Sequence, residues 1–292
     1  MAVSGFERIA PGASRLEVIR HDVIFGEGPV WDRRAGTLYY TDIIGDTIWQ
    51  WTPGIGNQVV MQPSWKANGM TLDAQGRLVV AGWASRSVWR RESDGTVQTL
   101  CGAYEGKKLN TPNDICVTRD GAIWFTDPTG ALNNVEMHGE DIQRYLDWNG
   151  VYRLAPDGSI ALKVEDGVYP NGLCFSPDER RLYVNDTRQA LIRVFDVAAD
   201  GAVGNPRIFY RLVGTEPGVA DGMKVDVEGN LYCTGPAGIH VIAPDGRLLG
   251  RLKIPGHCTN MAWGDADWRT MYITTFTSHV FRVRMGIPGV PV

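Results

Sequence analysis

Six related phrases recur along the chain, and their spacing restricts the fold more tightly than any other feature. They are GEGPVWDRRAGTLYYTD, ANGMTLDAQGRLVVAG, TPNDICVTRDGAIWFTD, YPNGLCFSPDERRLYVND, VADGMKVDVEGNLYCTG and, more weakly, CTNMAWGDADWRTMYITT. Aligned on one position they give Glu27, Asn68, Asn113, Asn171, Asp221 and Asn260, spaced 41, 45, 58, 50 and 39 residues apart. Periods of about 40 to 50 residues belong to propeller blades or helical solenoids. Helical periodicity is absent. Each unit instead reads as strand, turn, strand, as in GMTLD, AQGR and LVVAG, with β-branched and aromatic residues between Gly/Asp turns. Two more strands follow, as in SVWRRES, DG and TVQTL. The sequence therefore predicts an all-β, six-bladed β-propeller with four-stranded antiparallel blades, forming one domain over residues 1–292. The last unit supplies only three strands, whereas a spare strand, SRLEVIRH, precedes the first. That N-terminal strand is expected to complete the last blade and so remove an open edge.

Composition narrows the partners. A formal net charge of −4 provides no electrostatic footprint for nucleic acid or an anionic membrane, so neither is expected. The opening MAVSGFERIAPG lacks a basic region followed by an apolar stretch, and no run of 18 apolar residues occurs. The expectation is a soluble, cytoplasmic monomer or weak homo-oligomer acting on a small molecule. Five scattered cysteines without a C-x-x-C pair suit a reducing compartment and are assigned neither metal nor nucleophile.

An Asn-Gly pair such as Asn171-Gly172 ordinarily reads as a tight turn. In a four-stranded meander, however, the repeated position lies just ahead of the innermost strand, which puts all six side chains around the mouth of a central channel. Turn chemistry explains Asn or Asp there but not Glu27. Glu27 and Asp221 would be two carboxylates across a narrow opening, and these repel unless a cation lies between them. Two carboxylates with Asn carbonyls suit Ca²⁺, Mg²⁺ or Mn²⁺ better than a Cys/His zinc site.

Taken together, GEGPVW, TPND…DGAIWFTDP, PNGLCFSPD and ADGMKVD resemble the senescence-marker-protein/gluconolactonase (regucalcin-like) family, over roughly residues 20 to 285. The resemblance implies a six-bladed propeller with one divalent metal that opens sugar lactones. It implies metal ligation by Glu27, Asn171 and Asp221, with Ca²⁺ as the first expectation and Zn²⁺, Mg²⁺, Mn²⁺ and Fe²⁺ as the others. Asn113 matches a residue that binds substrate in some members and is a fourth ligand in related phosphotriester-hydrolysing propellers. Animal members carry Arg two positions ahead of that Asn, where this chain has Thr111, so contacts to substrate hydroxyls are expected to differ. Asp221 is the candidate general base for a lactone whose carbonyl is polarised by the metal, with a metal-bound hydroxide as the competing nucleophile.

Other residues divide between roles. Asp42, Asp127 and Asp186 end the second strand of three repeats, and Asp127 is taken as a substrate contact beside Asn113, although capping of a strand end is the ordinary role. The longest spacing holds an insertion, GALNNVEMHGEDIQRYLDWNG, whose His138, Glu140, Arg144, Tyr145 and Trp148 suit either a lid or a self-packed surface loop. His240 and His257 are given no role, and the tryptophans are assigned to packing between blades. Two alternatives remain: a phosphotriesterase-like hydrolase on the same metal, and a non-catalytic propeller that binds Ca²⁺ or a protein.

Overall fold

The computed structural model describes residues 5–11, 15–130, 132 and 140–292. Each repeated phrase forms the strand pair that its pattern requires. In the fourth repeat Pro170–Phe175, Arg181–Asp186, Leu191–Val197 and Val203–Arg211 pair in sequence order, all antiparallel. Three other four-stranded sheets, opened by Ala67–Leu72, Ile115–Val117 and Met223–Val225, have the same order. The turns between strands follow from local chemistry. Asp157 Oδ1 accepts the Ser159 amide at 2.9 Å while Gly158 takes φ +87°. The Asp-Gly pairs at 94, 120, 200 and 245 make the same contact two residues on. Among the described residues the only helix is Gly5–Ile9, and none is long and apolar enough to cross a membrane.

A further sheet has six strands, in the order His257–Gly264, Thr270–Arg284, Glu17–Asp32, Thr37–Asp42, Thr47–Thr52 and Gly56–Met61. Glu17–Asp32 belongs to both halves of it. Its residues from Glu17 to Phe25 pair with Thr270–Arg284, and those from Gly26 to Asp32 with Thr37–Asp42. The architecture is thus all-β and propeller-like.

The core lies between the faces of neighbouring sheets. Trp124, Val151, Leu173, Val184 and Phe195 form one such layer, and Val79, Ala81, Ile115, Phe125 and Tyr152 another. Trp31 stacks on Tyr272 at 5.2 Å, and Trp263 meets Tyr232 edge-on at 5.1 Å, so tryptophan serves packing as expected. All five cysteines are free, and the thiols of Cys116, Cys174, Cys233 and Cys258 are pushed up first of all by burial.

The opening strands of successive sheets lie against one another, and His257–Gly264 lies against Glu17–Asp32. This contact, and not a turn, explains the Asn-Gly pairs. A Cβ on Gly172 would sit 2.1 Å from the Asp221 carbonyl oxygen, and one on Gly69 would sit 2.5 Å from that of Asn113. Neither glycine has a positive φ. The same junctions are fastened by side chains from the second strands. Thr41 Oγ1 donates to the Asn68 carbonyl at 3.1 Å, Thr126 Oγ1 to that of Asn171 at 2.7 Å, and Asn185 Nδ2 to that of Asp221 at 2.5 Å.

Candidate active site

Glu27, Asn68, Asn113, Asn171 and Asp221 all line one cavity of about 400 Å³. Asn260, the sixth repeated position, lies outside the cavity wall. Its Nδ2 donates to Glu27 Oε2 at 2.8 Å, and the Gly28 amide donates to the same oxygen at 2.7 Å. These bonds fix the Glu27 carboxyl, which interacts with that of Asp221; Asp221 also interacts with the Asn171 amide.

Both acids are buried, Glu27 to 3% exposure and Asp221 to 8%. Burial, and then the nearby Asp114 charge, raise Glu27 from the ordinary 4.5 to about 7. Burial first, then Glu27 and Asp114, hold Asp221 well above its ordinary range. Two carboxyls withdrawn from water and facing each other favour either a shared proton or a cation. Asn171 supports the cation. Its Nδ2 donates to Thr187 Oγ1 at 3.0 Å, but its Oδ1 is buried without a partner. An unpaired buried oxygen beside two carboxylates is an all-oxygen donor set, the kind that hard divalent ions take. Among the described residues no three His, Cys, Asp or Glu side chains gather as a metal cluster, so the set depends on the amide as its third donor.

The wall above this floor was less legible. Phe25, Trp83 and Phe276 line one part of it, with Phe25 edge-on to Trp83 at 6.1 Å and to Phe276 at 4.9 Å. Tyr169, Thr187, Val219, Thr259 and His257 also line it. The Tyr169 hydroxyl is raised by burial and by Asp221, and His257 is lowered by burial, so both are neutral near pH 7. The sequence carries a signal for part of this set: Phe25, Tyr169 and Val219 each stand two places ahead of a ring position. His257, given no role from the sequence, is on the cavity, whereas His240 is fully buried with Nε2 3.0 Å from the Pro236 carbonyl.

Asp127, expected at the substrate, lies outside the cavity lining. It is fully buried, its Oδ2 accepts the Asn110 amide at 2.8 Å, and burial raises it to about 7. It thus resembles Asp42 and Asp186, whose carboxylates accept backbone amides of Ile24, Phe25 and Gly45, and of Val168, Tyr169, Arg188 and Gln189. Thr111 is buried, and its hydroxyl donates to the Pro128 carbonyl.

In the insertion, Gly130 lines the cavity under the Tyr169 ring, while His138 lies outside the described residues. Arg144 bonds the Leu146 and Asp147 carbonyls, Tyr145 bonds Asp141, and Trp148 Nε1 donates to Tyr152 at 2.8 Å. These three side chains and the exposed Glu140 are not on the cavity. A larger open groove of about 580 Å³ beside Trp65, Ser85 and Trp89 has one carboxylate, Asp46, already held by Ser64 and Lys66. It lacks the paired acids.

The family described as SMP-30/Gluconolactonase/LRE-like region matches residues 25–277. Gluconolactonase from Zymomonas mobilis is 33% identical over 293 aligned residues, which cover 92% of this chain and 81% of that protein. Regucalcin from Xenopus laevis is 28% identical over 263 residues, covering 88% of this chain and 85% of the relative. The solved structure of a gluconolactonase from Xanthomonas campestris has a TM-score of 0.89 at 33% identity, over 98% of this chain and 93% of that one. With Glu27, Asn113, Asn171 and Asp221 all inside the matched region, this chain belongs to the SMP-30/gluconolactonase/LRE-like family.

Proposed function

We propose that this protein is a sugar lactonase that hydrolyses the ring ester of an aldonolactone, with one divalent cation held by Glu27, Asn171 and Asp221. The observation that carries this reading is the buried Glu27–Asp221 pair beside the unpartnered Asn171 Oδ1, at the floor of a cavity sized for a small polar ligand. The gluconolactonases of Zymomonas mobilis and Xanthomonas campestris, similar over nearly the whole chain, support the same substrate class.

A bound cation would supply Lewis-acid polarisation of the lactone carbonyl. The protein's own groups do the rest. Glu27, fixed through Oε2 by Gly28 and Asn260, and Asn171, fixed through Nδ2 by Thr187, keep the donor set rigid. Asp221 takes a proton from the attacking water as the water oxygen bonds to the carbonyl carbon. The bond from that carbon to the ring oxygen then breaks, and the ring oxygen takes up the proton that Asp221 gives back, leaving an open hydroxy acid. Asn113 contacts a sugar hydroxyl. Phe25, Trp83 and Phe276 pack against the carbon face of the ring and exclude bulk water. The oxygen donors make Ca²⁺ the first choice, ahead of Mg²⁺, Mn²⁺, Zn²⁺ and Fe²⁺. We also read the six-stranded sheet as two blades, with Glu17–Asp32 shared between them and Thr270–Arg284 supplying two strand positions, so that six four-stranded blades close the ring; the double pairing of both strands supports this.

The test is hydrolysis of glucono-, galactono-, xylono- and arabinonolactone by chelator-stripped protein, before and after each metal is returned, with spontaneous opening subtracted. Metal-dependent acceleration that Glu27→Gln removes supports the reading. A folded protein that accelerates none of them with any metal would refute it.

A further inference from the structure

Of the six ring residues, Asn68 is the one whose side chain is left with both polar ends buried and unpaired. It is 1% exposed, it lines the cavity, and neither its Oδ1 nor its Nδ2 has a hydrogen-bond partner. Two other ring amides have partners: Asn171 has its Nδ2 on Thr187, and Asn260 has Nδ2 on Glu27 and Oδ1 on the Met261 amide. The Asn68 backbone carbonyl is likewise taken, by Thr41. A buried amide with both ends unpaired is rare in folded proteins, because each end has given up water without replacement.

The nature of the missing partner follows from the amide. A cation would satisfy only Oδ1 and leave the Nδ2 donor unpaired and repelled. A water or a hydroxyl satisfies either end, but a ring bearing adjacent hydroxyls offers a donor and an acceptor together at the spacing of one amide. We infer that Asn68 reads the hydroxyls of the lactone ring, accepting from one through Oδ1 and donating to the same or the adjacent one through Nδ2, and that it sets the preference for hydroxylated lactones. The inference rests on the sugar-lactonase reading and adds a specificity residue to it. The position next to Glu27 in the ring puts this contact beside the donor set without making Asn68 a member of it. A site with such a group rejects an analogue lacking the matching hydroxyl more strongly than an apolar pocket can, because the analogue leaves the amide unpaired.

The experiment is a cycle between protein and substrate. The kcat/KM of metal-loaded wild type and Asn68→Leu is measured on gluconolactone and on its singly deoxygenated analogues, and metal affinity is titrated for both proteins. For at least one ring position, wild type should favour the parent over the deoxy analogue by roughly 30- to 300-fold, and Asn68→Leu should reduce that ratio to near one. Metal affinity should stay within about threefold of wild type, since Asn68 is outside the donor set. Asn68→Ser, small enough for the same space, replaces the Leu variant if that fails to fold.

Three results would overturn the inference: ratios unchanged at every position, activity lost equally on all substrates, or a loss of metal affinity that matches the loss of activity. Wild type inactive on every lactone would overturn the lactonase reading and this inference with it. Active wild type with unchanged ratios in the variants would overturn this inference alone.

Discussion

Replacing Glu27 by Gln should stabilise the metal-free protein at pH 8 and not at pH 5. In the fold Glu27 titrates at about 7, against an ordinary 4.5, so the folded state binds its proton more tightly than the unfolded chain does. The stability this gives is complete below pH 4.5 and is lost as pH rises to about 7. Compared with a neutral side chain, Glu27 therefore costs the metal-free fold roughly 3 kcal/mol at pH 8, where it is ionised, but only about 1 kcal/mol at pH 5, where the fold keeps it protonated. Gln keeps the shape and removes the charge. It weakens the contacts that Oε2 accepts from Gly28 and Asn260, a loss of about 1 kcal/mol. The balance is a gain of about 2 kcal/mol at pH 8 and about zero at pH 5. For a chain of this size the gain raises Tm by roughly 3 °C. Thermal denaturation of chelator-treated wild type and Glu27→Gln at both pH values reads the difference directly. Added metal should reverse the order at pH 8, because only wild type retains both carboxylates. A variant equally destabilised at pH 5 and pH 8 would show that Glu27 carries no buried charge penalty, and the argument for a cation between the two acids would lose its electrostatic basis.

Asp221→Ala should reduce metal-loaded lactone turnover by about a thousandfold or more while leaving a folded protein by circular dichroism, and near-normal turnover would remove Asp221 from its role as base. Asp127→Asn should leave KM for the preferred lactone within about twofold, because its carboxylate holds the Asn110 amide away from the cavity; a tenfold rise would return Asp127 to the substrate. Gly172→Ala should lower stability by about 2 kcal/mol or more by urea denaturation, since its Cβ would meet the Asp221 carbonyl oxygen at 2.1 Å, and an unaffected midpoint would mean that the strands separate freely.

The repeat made the strands readable because each unit carries its own turn signals, and Asp94, Asp120, Asp157, Asp200 and Asp245 all accept the amide two residues on in their turns. The ring was readable for a different reason. One Glu in a row of Asn and Asp departs from turn chemistry, and the structure gathers Glu27, Asn171 and Asp221 on one cavity. Asp127 shows where the pattern fails, since TD at a strand end looks the same whether its carboxylate faces a substrate or a backbone amide. His257 and Trp83 were hidden because each stands one residue outside its repeated phrase, His257 at the start of a strand and Trp83 in a turn of another sheet, and no local motif records which of these meet. The Asn-Gly pairs were ambiguous in another way: glycine answers equally to a turn and to a crowding backbone, and only the distance from Gly172 to Asp221 separates the two.

The contact between neighbouring opening strands also bears on how such a site changes. The aperture is set by main chain against main chain, at Gly69 and Gly172, and by Thr41, Thr126 and Asn185 gripping carbonyl oxygens. None of these groups is a ring side chain. The main chain is therefore a mount that does not depend on the fittings it holds, and a side chain such as Asn68, bonded to no other ring residue, can be exchanged alone, whereas Glu27 and Asn260, joined through Oε2, change together. At a position of the first kind, new chemistry can then arise one side chain at a time, each tried against partners that stay where they were.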